Sequence, residues 1–235
     1  MVKSELFNKK QLVNFKKNHF ENDSWEHSLV VCGIDEVGRG CLAGPLVTAA
    51  VILPPQTRYN LLKDSKILTE ADRLKAYKWI IKNCFFGVGM VHNRIIDQHN
   101  IWQATLIAMK KALVNLLAIC PTRPSKILVD AMPLEILDTN YKDIPIEHFP
   151  KGEQKSSSIA AASIVAKVTR DRLVTKLDNL FPGYHLAQHK GYATKKHQEA
   201  LLNHGHSIIH RISFLEKLYH AQALEHTDEH QQTIC

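Results

Sequence analysis

Gly33-Ile34-Asp35-Glu36-Val37-Gly38-Arg39-Gly40 is the stretch that decides how this chain is read. An apolar run from Leu29 leads into two adjacent carboxylates, and a flexible, positively charged turn follows. The run predicts a strand over Leu29 to Ile34, with the acids at its end. Paired acids at a strand end suit a divalent cation, and Gly-Arg-Gly suits close approach to a phosphate and sugar backbone. Successive side chains of a regular strand face opposite ways, so Asp35 and Glu36 share a site only if the chain bends or a backbone carbonyl assists.

Leu46 to Leu53 reads as a second strand, stopped by Pro54-Pro55, and the short turn between the two predicts an antiparallel pair. Thr69 with Asp72 opens a helix carrying Leu74, Tyr77, Ile80 and Ile81, and Cys84 to His92 is a third strand. Asn100 caps a long helix whose buried stripe includes Leu106, Met109, Leu113 and Leu116. Lys126 to Asp130 and Ile144 to Phe149 are two more strands, and Ser156 to Leu180 is an alanine-rich helix suited to lying close on a sheet. Strands followed by alternating helices and strands predict a mixed α/β sheet of five strands flanked by helices. The expected organisation is an N-terminal helical extension (1–27), a catalytic domain (28–180), a small C-terminal helical appendage (181–220) and a poorly ordered tail (221–235).

Bulk properties narrow the function classes. The 235 residues are 45% hydrophobic, which excludes a disordered chain, and a net charge of +7 leans weakly toward a polyanionic partner. No apolar run reaches the ~20 residues of a membrane span, and the charged N-terminus lacks a signal-peptide core. Five cysteines, an odd count without a CxxC pair, predict free thiols in a reducing compartment. A cytoplasmic protein is expected.

Three apolar runs end in or lead to acids: Asp35-Glu36, Asp130, and Glu153 after Phe149-Pro150-Lys151-Gly152. Gathered at one sheet edge, four carboxylates would repel one another unless cations sat between them. All-oxygen donors select Mg²⁺ or Mn²⁺, and two such ions suit in-line phosphoryl displacement. The plainer readings differ from piece to piece. An isolated Asp-Glu pair is more often a solvated turn, and Asp130 alone is as good a helix cap as a ligand. The glycine turn lacks Gly-Lys-Ser/Thr, which argues against a P-loop. His185, His189, His197, His204, His206 and His210 fit no zinc module and are expected mostly at the surface. Ser156, Ser157 and Ser158 lack a nucleophile elbow and are expected to cap the helix they open.

These pieces, with Ala-Gly-Pro-Leu-Val (43–47), Asp-Ser-Lys (64–66), Leu-Val-Asp (128–130), Lys-Gly-Glu (151–153), Ala-Ala-Ser-Ile-Val-Ala-Lys-Val-Thr-Arg-Asp (161–171), Gly-Tyr-Ala-Thr-Lys-Lys-His (191–197) and His-Arg-Ile-Ser-Phe (210–214), resemble the type 2 ribonucleases H, bacterial ribonuclease HII in particular. The likeness runs from about Leu29 to Phe214. It implies a ribonuclease H-like fold and Mg²⁺- or Mn²⁺-dependent cleavage, with two ions, of RNA–DNA hybrids and of DNA containing ribonucleotides. By the same resemblance the metal ligands fall on Asp35, Glu36, Asp130 and Glu153. The last position is often Asp in the family, and Asp171 is the competing acid. Gly38, Arg39 and Gly40 resemble the turn that contacts a ribose 2′-hydroxyl, the group that separates RNA from DNA. Tyr192 resembles the tyrosine that stacks on the next sugar, and Ser65 and Lys66 resemble phosphate contacts. A monomer is the expectation. The rival readings are another two-metal nuclease on this fold, resolvase- or transposase-like, and a non-catalytic nucleic-acid binding module.

Overall fold

The computed structural model describes residues 17–136, 140–216 and Tyr219. The expected tail from Ala221 lies outside the described residues, as does most of the N-terminal extension. Its described part carries α1 (His19–Glu26).

β1 (Val31–Val37) pairs antiparallel with β2 (Leu46–Ile52) as the short turn predicts. α2 (Glu70–Asn83) opens on Thr69, whose hydroxyl accepts from the Asp72 N–H, and leads to β3 (Phe85–Val91), antiparallel to β2. α3 (Asn93–Leu117) is kinked at Asn100, where φ is 62° and ψ 167°. The Asn100 side chain accepts from the N–H groups of Trp102 and Gln103, so it caps the second limb as expected, but a first limb already runs into it. β4 (Lys126–Asp130) returns parallel to β1, and β5 (Ile146–Phe149) parallel to β4. α4 (Gly152–Lys155), α5 (Ser157–Asp178), α6 (Leu186–His189) and α7 (Lys195–His204) complete the named elements. The result is a five-stranded mixed sheet of order β3-β2-β1-β4-β5.

β1 ends later than its hydropathy predicts. Its ladder continues through Asp35↔Ala49, Glu36↔Thr48 and Val37↔Val47. Backbone pairing with β2 carries the two acids inside the strand, which an apolar-run criterion does not register.

The core lies on both faces of the sheet. Along β2, Val47, Ala49 and Val51 face α2 and α5, whereas Ala50 and Ile52 join Cys32, Ile34, Met109, Leu113 and Leu116 on the α3 side. The alanines of α5 let it lie close on β1. At Gly33 a Cβ would fall 2.2 Å from the Ser158 backbone, so the helix axis is set by the lack of a side chain there. Among the described residues no helix is long and apolar enough to cross a membrane, and Cys32, Cys41, Cys84 and Cys120 are free thiols.

Gly33→Ala forces α5 off the sheet beneath the acids. We expect a loss of about 2–3 kcal/mol in urea unfolding, with unchanged stability contradicting this packing.

Candidate active site

Register builds the centre of the site. Ile34 lies opposite Val129 on parallel strands, and one residue on Asp35 comes beside Asp130. Neighbouring strands are roughly 5 Å apart, so two carboxylates meet at their ends. Asp35 is 6% exposed, and its Oδ1 accepts the Glu36 N–H at 2.7 Å. The β1–β2 register runs unbroken through Asp35 and Glu36, yet both lie within electrostatic reach of Asp130. Asp130 Oδ1 accepts the Gly152 N–H at 2.8 Å, which draws α4 and its Glu153 up to the strand end.

α1 braces that turn. Glu21 is fully buried, accepts from the Ser156 hydroxyl and from the Ser158 N–H at 3.0 Å, and so occupies the N-terminus of α5. Asn18 Oδ1 takes the Ser157 N–H at 3.1 Å. Free N–H groups at a helix start favour such acceptors, so the extension fixes the segment from which Glu153 projects.

The electrostatics are those of crowded acids. Burial, Glu36 and Asp130 push the Asp35 carboxyl well above its ordinary value. Burial pushes Glu36 up to about 7 against the pull of Arg39, with Asp130 adding to the rise. Asp130 and Glu153 are raised in the same way, chiefly by burial, and Asp64 adds to both. Lys66 is the shared counter-charge, drawing Glu36, Asp130 and Glu153 downward. Glu36 Oε2 is buried with no hydrogen-bond partner. Among the described residues no three metal-binding side chains are already closed into a cation cage. The donors are nonetheless all carboxylate oxygens, one of them orphaned, in a site where burial and mutual repulsion suppress ionisation. That donor set fits hard divalent cations.

Arg39 Nη1 reaches Glu36 Oε1 only loosely, at 3.4 Å. Gly38 sits at φ +92°, where a Cβ would strike the Arg170 guanidinium at 2.2 Å. Gly40 differs, because a Cβ there would meet nothing within 4 Å and its φ is unremarkable. The fold explains the first glycine and leaves the second as open surface.

Two fully buried arginines hold this turn. Arg170 donates to the carbonyls of Pro45, Ala43 and Lys190 at 2.9, 3.0 and 2.8 Å. Arg211 donates to the carbonyls of Arg39 at 2.8 Å and Gly44 at 3.0 Å. Burial brings the Arg211 guanidinium down to about 10, still charged at neutral pH. Leu42 N–H donates to Gly191 O at 2.8 Å, and Cys41 bridges Tyr192. The structure thereby brings Tyr192 beside Gly38-Arg39-Gly40 across some 150 residues of chain. Lys167 and Arg170 lie over its ring, 5.4 and 5.7 Å from the centroid.

Several expectations change. Ser65 is 2% exposed with its hydroxyl 2.9 Å from that of Ser163, so it is a buried strut between its loop and α5, not an open phosphate contact. Lys66 is exposed, as a phosphate contact requires. Asp171 holds Lys167 at 2.9 Å and acts on Tyr192, whereas Glu153 is the acid brought up to Asp130. The histidines divide: His185, His204 and His206 are exposed as expected, but His189, His197 and His210 are buried. Asp64 was missed, because no apolar run leads into it; its place beside Ser65-Lys66 was the available signal.

A mixed five-stranded sheet that brings carboxylates of its neighbouring parallel strands β1 and β4 together has the architecture of the ribonuclease H-like class. A family model described as ribonuclease HII matches residues 32–217. A curated "Ribonuclease HII" of Alkaliphilus metalliredigens is 47% identical over 202 residues, 84% of this chain and 96% of that protein. Among solved structures, the PCNA:RNase HII complex of Archaeoglobus fulgidus has a chain that superposes with a TM-score of 0.64 at 27% identity, covering 78% of this chain and 94% of that one. The ribonuclease H2 of Pyrococcus horikoshii OT3 gives 0.61 at 27% identity, over 81% and 97%. The chain belongs to the ribonuclease HII family, and is thus an endoribonuclease, a type 2 ribonuclease H. This removes the resolvase-like and non-catalytic readings.

A carboxyl raised from 4.5 to about 7 in the folded protein holds more protons folded than unfolded between those values. The metal-free protein therefore loses stability as pH rises through that window. Glu36→Gln should melt roughly 2–6 °C above the parent at pH 8 in chelator, with the difference vanishing near pH 4, as followed by calorimetry. A variant that melts lower at pH 8 would contradict the crowding.

Proposed function

We propose that this chain, acting as a monomer, cleaves the RNA strand of RNA–DNA hybrids and the 5′ side of ribonucleotides embedded in duplex DNA, leaving 5′-phosphate and 3′-hydroxyl ends. The observation that carries the reading is the convergence of Asp35, Glu36 and Glu153 on Asp130, with one buried oxygen of Glu36 left unpartnered. These four residues would hold Mg²⁺ or Mn²⁺, and the chemistry supplied there is Lewis-acid activation of water and neutralisation of charge on the scissile phosphate.

The chain's own groups do the rest. Asp35 is the most enclosed of the acids and is held by the Glu36 N–H and by the Ser163 hydroxyl, so its carboxylate has a set direction. Asp130 is fixed in the same way by Gly152. Lys66, exposed at the rim, offsets the charge that a phosphodiester adds to an acidic pocket. The Gly38-Arg39-Gly40 backbone, locked by Arg211 and Arg170, offers fixed polar groups to a 2′-hydroxyl. The empty space at Gly40 is where the sugar would approach. Tyr192 would stack on the following sugar, a reading supported by its partial exposure beside Lys167 and Arg170. The helical segment that follows α5 presents this tyrosine and serves as the substrate-binding appendage.

On a duplex with one ribonucleotide, cleavage in Mg²⁺ or Mn²⁺ should map to its 5′ side, and chelator should abolish it. Asp130→Asn should lower kcat by about a thousandfold or more while the protein stays folded. Near-normal turnover, or a 2′,3′-cyclic phosphate end, would overturn the assignment. Gly40→Ala should melt like the parent yet cut the single-ribonucleotide duplex about tenfold less well, since its Cβ enters the sugar's space. Full activity of that variant would place the sugar elsewhere.

A further inference from the structure

His189, His197 and His210 form a buried imidazole cluster beneath Tyr192. The rings of His189 and His197 stack at 4.3 Å, and those of His197 and His210 lie 5.3 Å apart. Their nitrogens make a chain whose direction is fixed at both ends. His197 Nδ1 lies 2.9 Å from the Tyr192 carbonyl, which only accepts, so Nδ1 carries the proton. His210 Nδ1 receives the Ser207 N–H at 3.0 Å, so its proton sits on Nε2. The two Nε2 atoms are 3.1 Å apart, and His210 donates to His197. His189 completes the bracket, taking the Gly191 N–H on Nδ1 at 3.2 Å and donating from Nε2 to the Tyr184 carbonyl at 2.8 Å. Burial brings both His197 and His210 down to about 4, which keeps the rings neutral and each tautomer single.

The chain of donors ends on the residues that carry the exposed ring. Lys190 and Gly191 are both left-handed, at φ 53° and +80°, so the backbone enters Tyr192 through a sharp turn. Tyr192 as a whole is 38% exposed. The direction of its ring therefore depends on how the peptides at 191 and 192 are held: backbone partners at Leu42 and Thr194 take part, and an imidazole adds a side-chain hydrogen bond to each, His189 to the Gly191 N–H and His197 to the Tyr192 carbonyl.

We infer that His197, oriented by His210, is a positioning residue that fixes the Tyr192 peptide and thereby sets how well the enzyme distinguishes a single ribonucleotide in DNA from a continuous RNA–DNA hybrid. This rests on the reading of Tyr192 given above. It assigns these histidines a role in substrate choice. An apolar core filler would pack as well, but would leave the Tyr192 carbonyl only the Thr194 N–H at 2.8 Å and remove the side-chain donor that ties it to His210.

The test compares His197→Asn with His197→Gln, each folded at the assay temperature by circular dichroism, with Tyr192→Ala as control. The Asn amide lies where Nδ1–H was and keeps the donor to Tyr192, whereas the longer Gln reaches toward His210 instead. The readout is the ratio of kcat/KM on a one-ribonucleotide duplex to that on a long hybrid. Tyr192→Ala should lower the ratio about tenfold or more, His197→Gln about tenfold, and His197→Asn less than about threefold. If Tyr192→Ala lowers the ratio but Gln and Asn leave it unchanged, or fall alike, the inference is wrong and the tyrosine reading stands. If Tyr192→Ala leaves the ratio unchanged, the tyrosine reading fails and this inference with it.

Discussion

Parallel pairing of β1 with β4 sets Asp35 beside Asp130, and the rest of the site is arranged around the repulsion that results. Left to themselves, buried acids at this spacing take up protons, and all four carboxyls are displaced upward. Backbone N–H groups steady Asp35 and Asp130 without neutralising them, and Lys66 supplies the nearby positive charge from the rim. The fold therefore carries a destabilised centre, which its two apolar layers must hold in place. Gly33 makes this possible by letting α5 seat directly against β1 under the acids.

Around that acidic centre the chain buries positive charge on a different plan. Arg170 and Arg211 are satisfied by carbonyl oxygens, and those carbonyls belong to the turn from Arg39 to Pro45 and to Lys190. Guanidinium groups used this way act as fixed forks, five donors in one plane. They tie the glycine turn to the segment bearing Tyr192, two pieces that local structure alone would leave unconnected. The neutral imidazoles below extend the same bracing. α1 does the equivalent on the other side of the acids through Glu21 and Asn18.

Much of this was legible in the sequence because it depends on local chemistry. Lys126 to Asp130 is a strand with the bounds its apolar run predicts, Thr69 and Ser156 cap as expected, and Asp35 and Asp130 come side by side on neighbouring strands. What escaped depends on long-range pairing. Hydropathy places the end of β1 before Asp35, whereas its ladder with β2 runs to Val37. Ser65 reads as a polar loop residue until Ser163 of α5 is seen against it. His189, His197 and His210 look like solvated groups in a basic helical stretch, and only their hydrogen bonds, one between His197 and His210 and the others to the backbone, make burial tolerable. Asp64 belongs to no strand and enters the cluster through the fold of its loop.

The account stands or falls on whether these acids hold cations together. Anomalous diffraction from crystals grown with Mn²⁺ and a duplex bearing one ribonucleotide locates such ions without reference to activity. The account predicts manganese peaks between Asp35, Glu36, Asp130 and Glu153, in contact with the phosphate on the 5′ side of the ribonucleotide. Manganese bound elsewhere, with Asp130 and Glu153 turned away from Asp35, would contradict it.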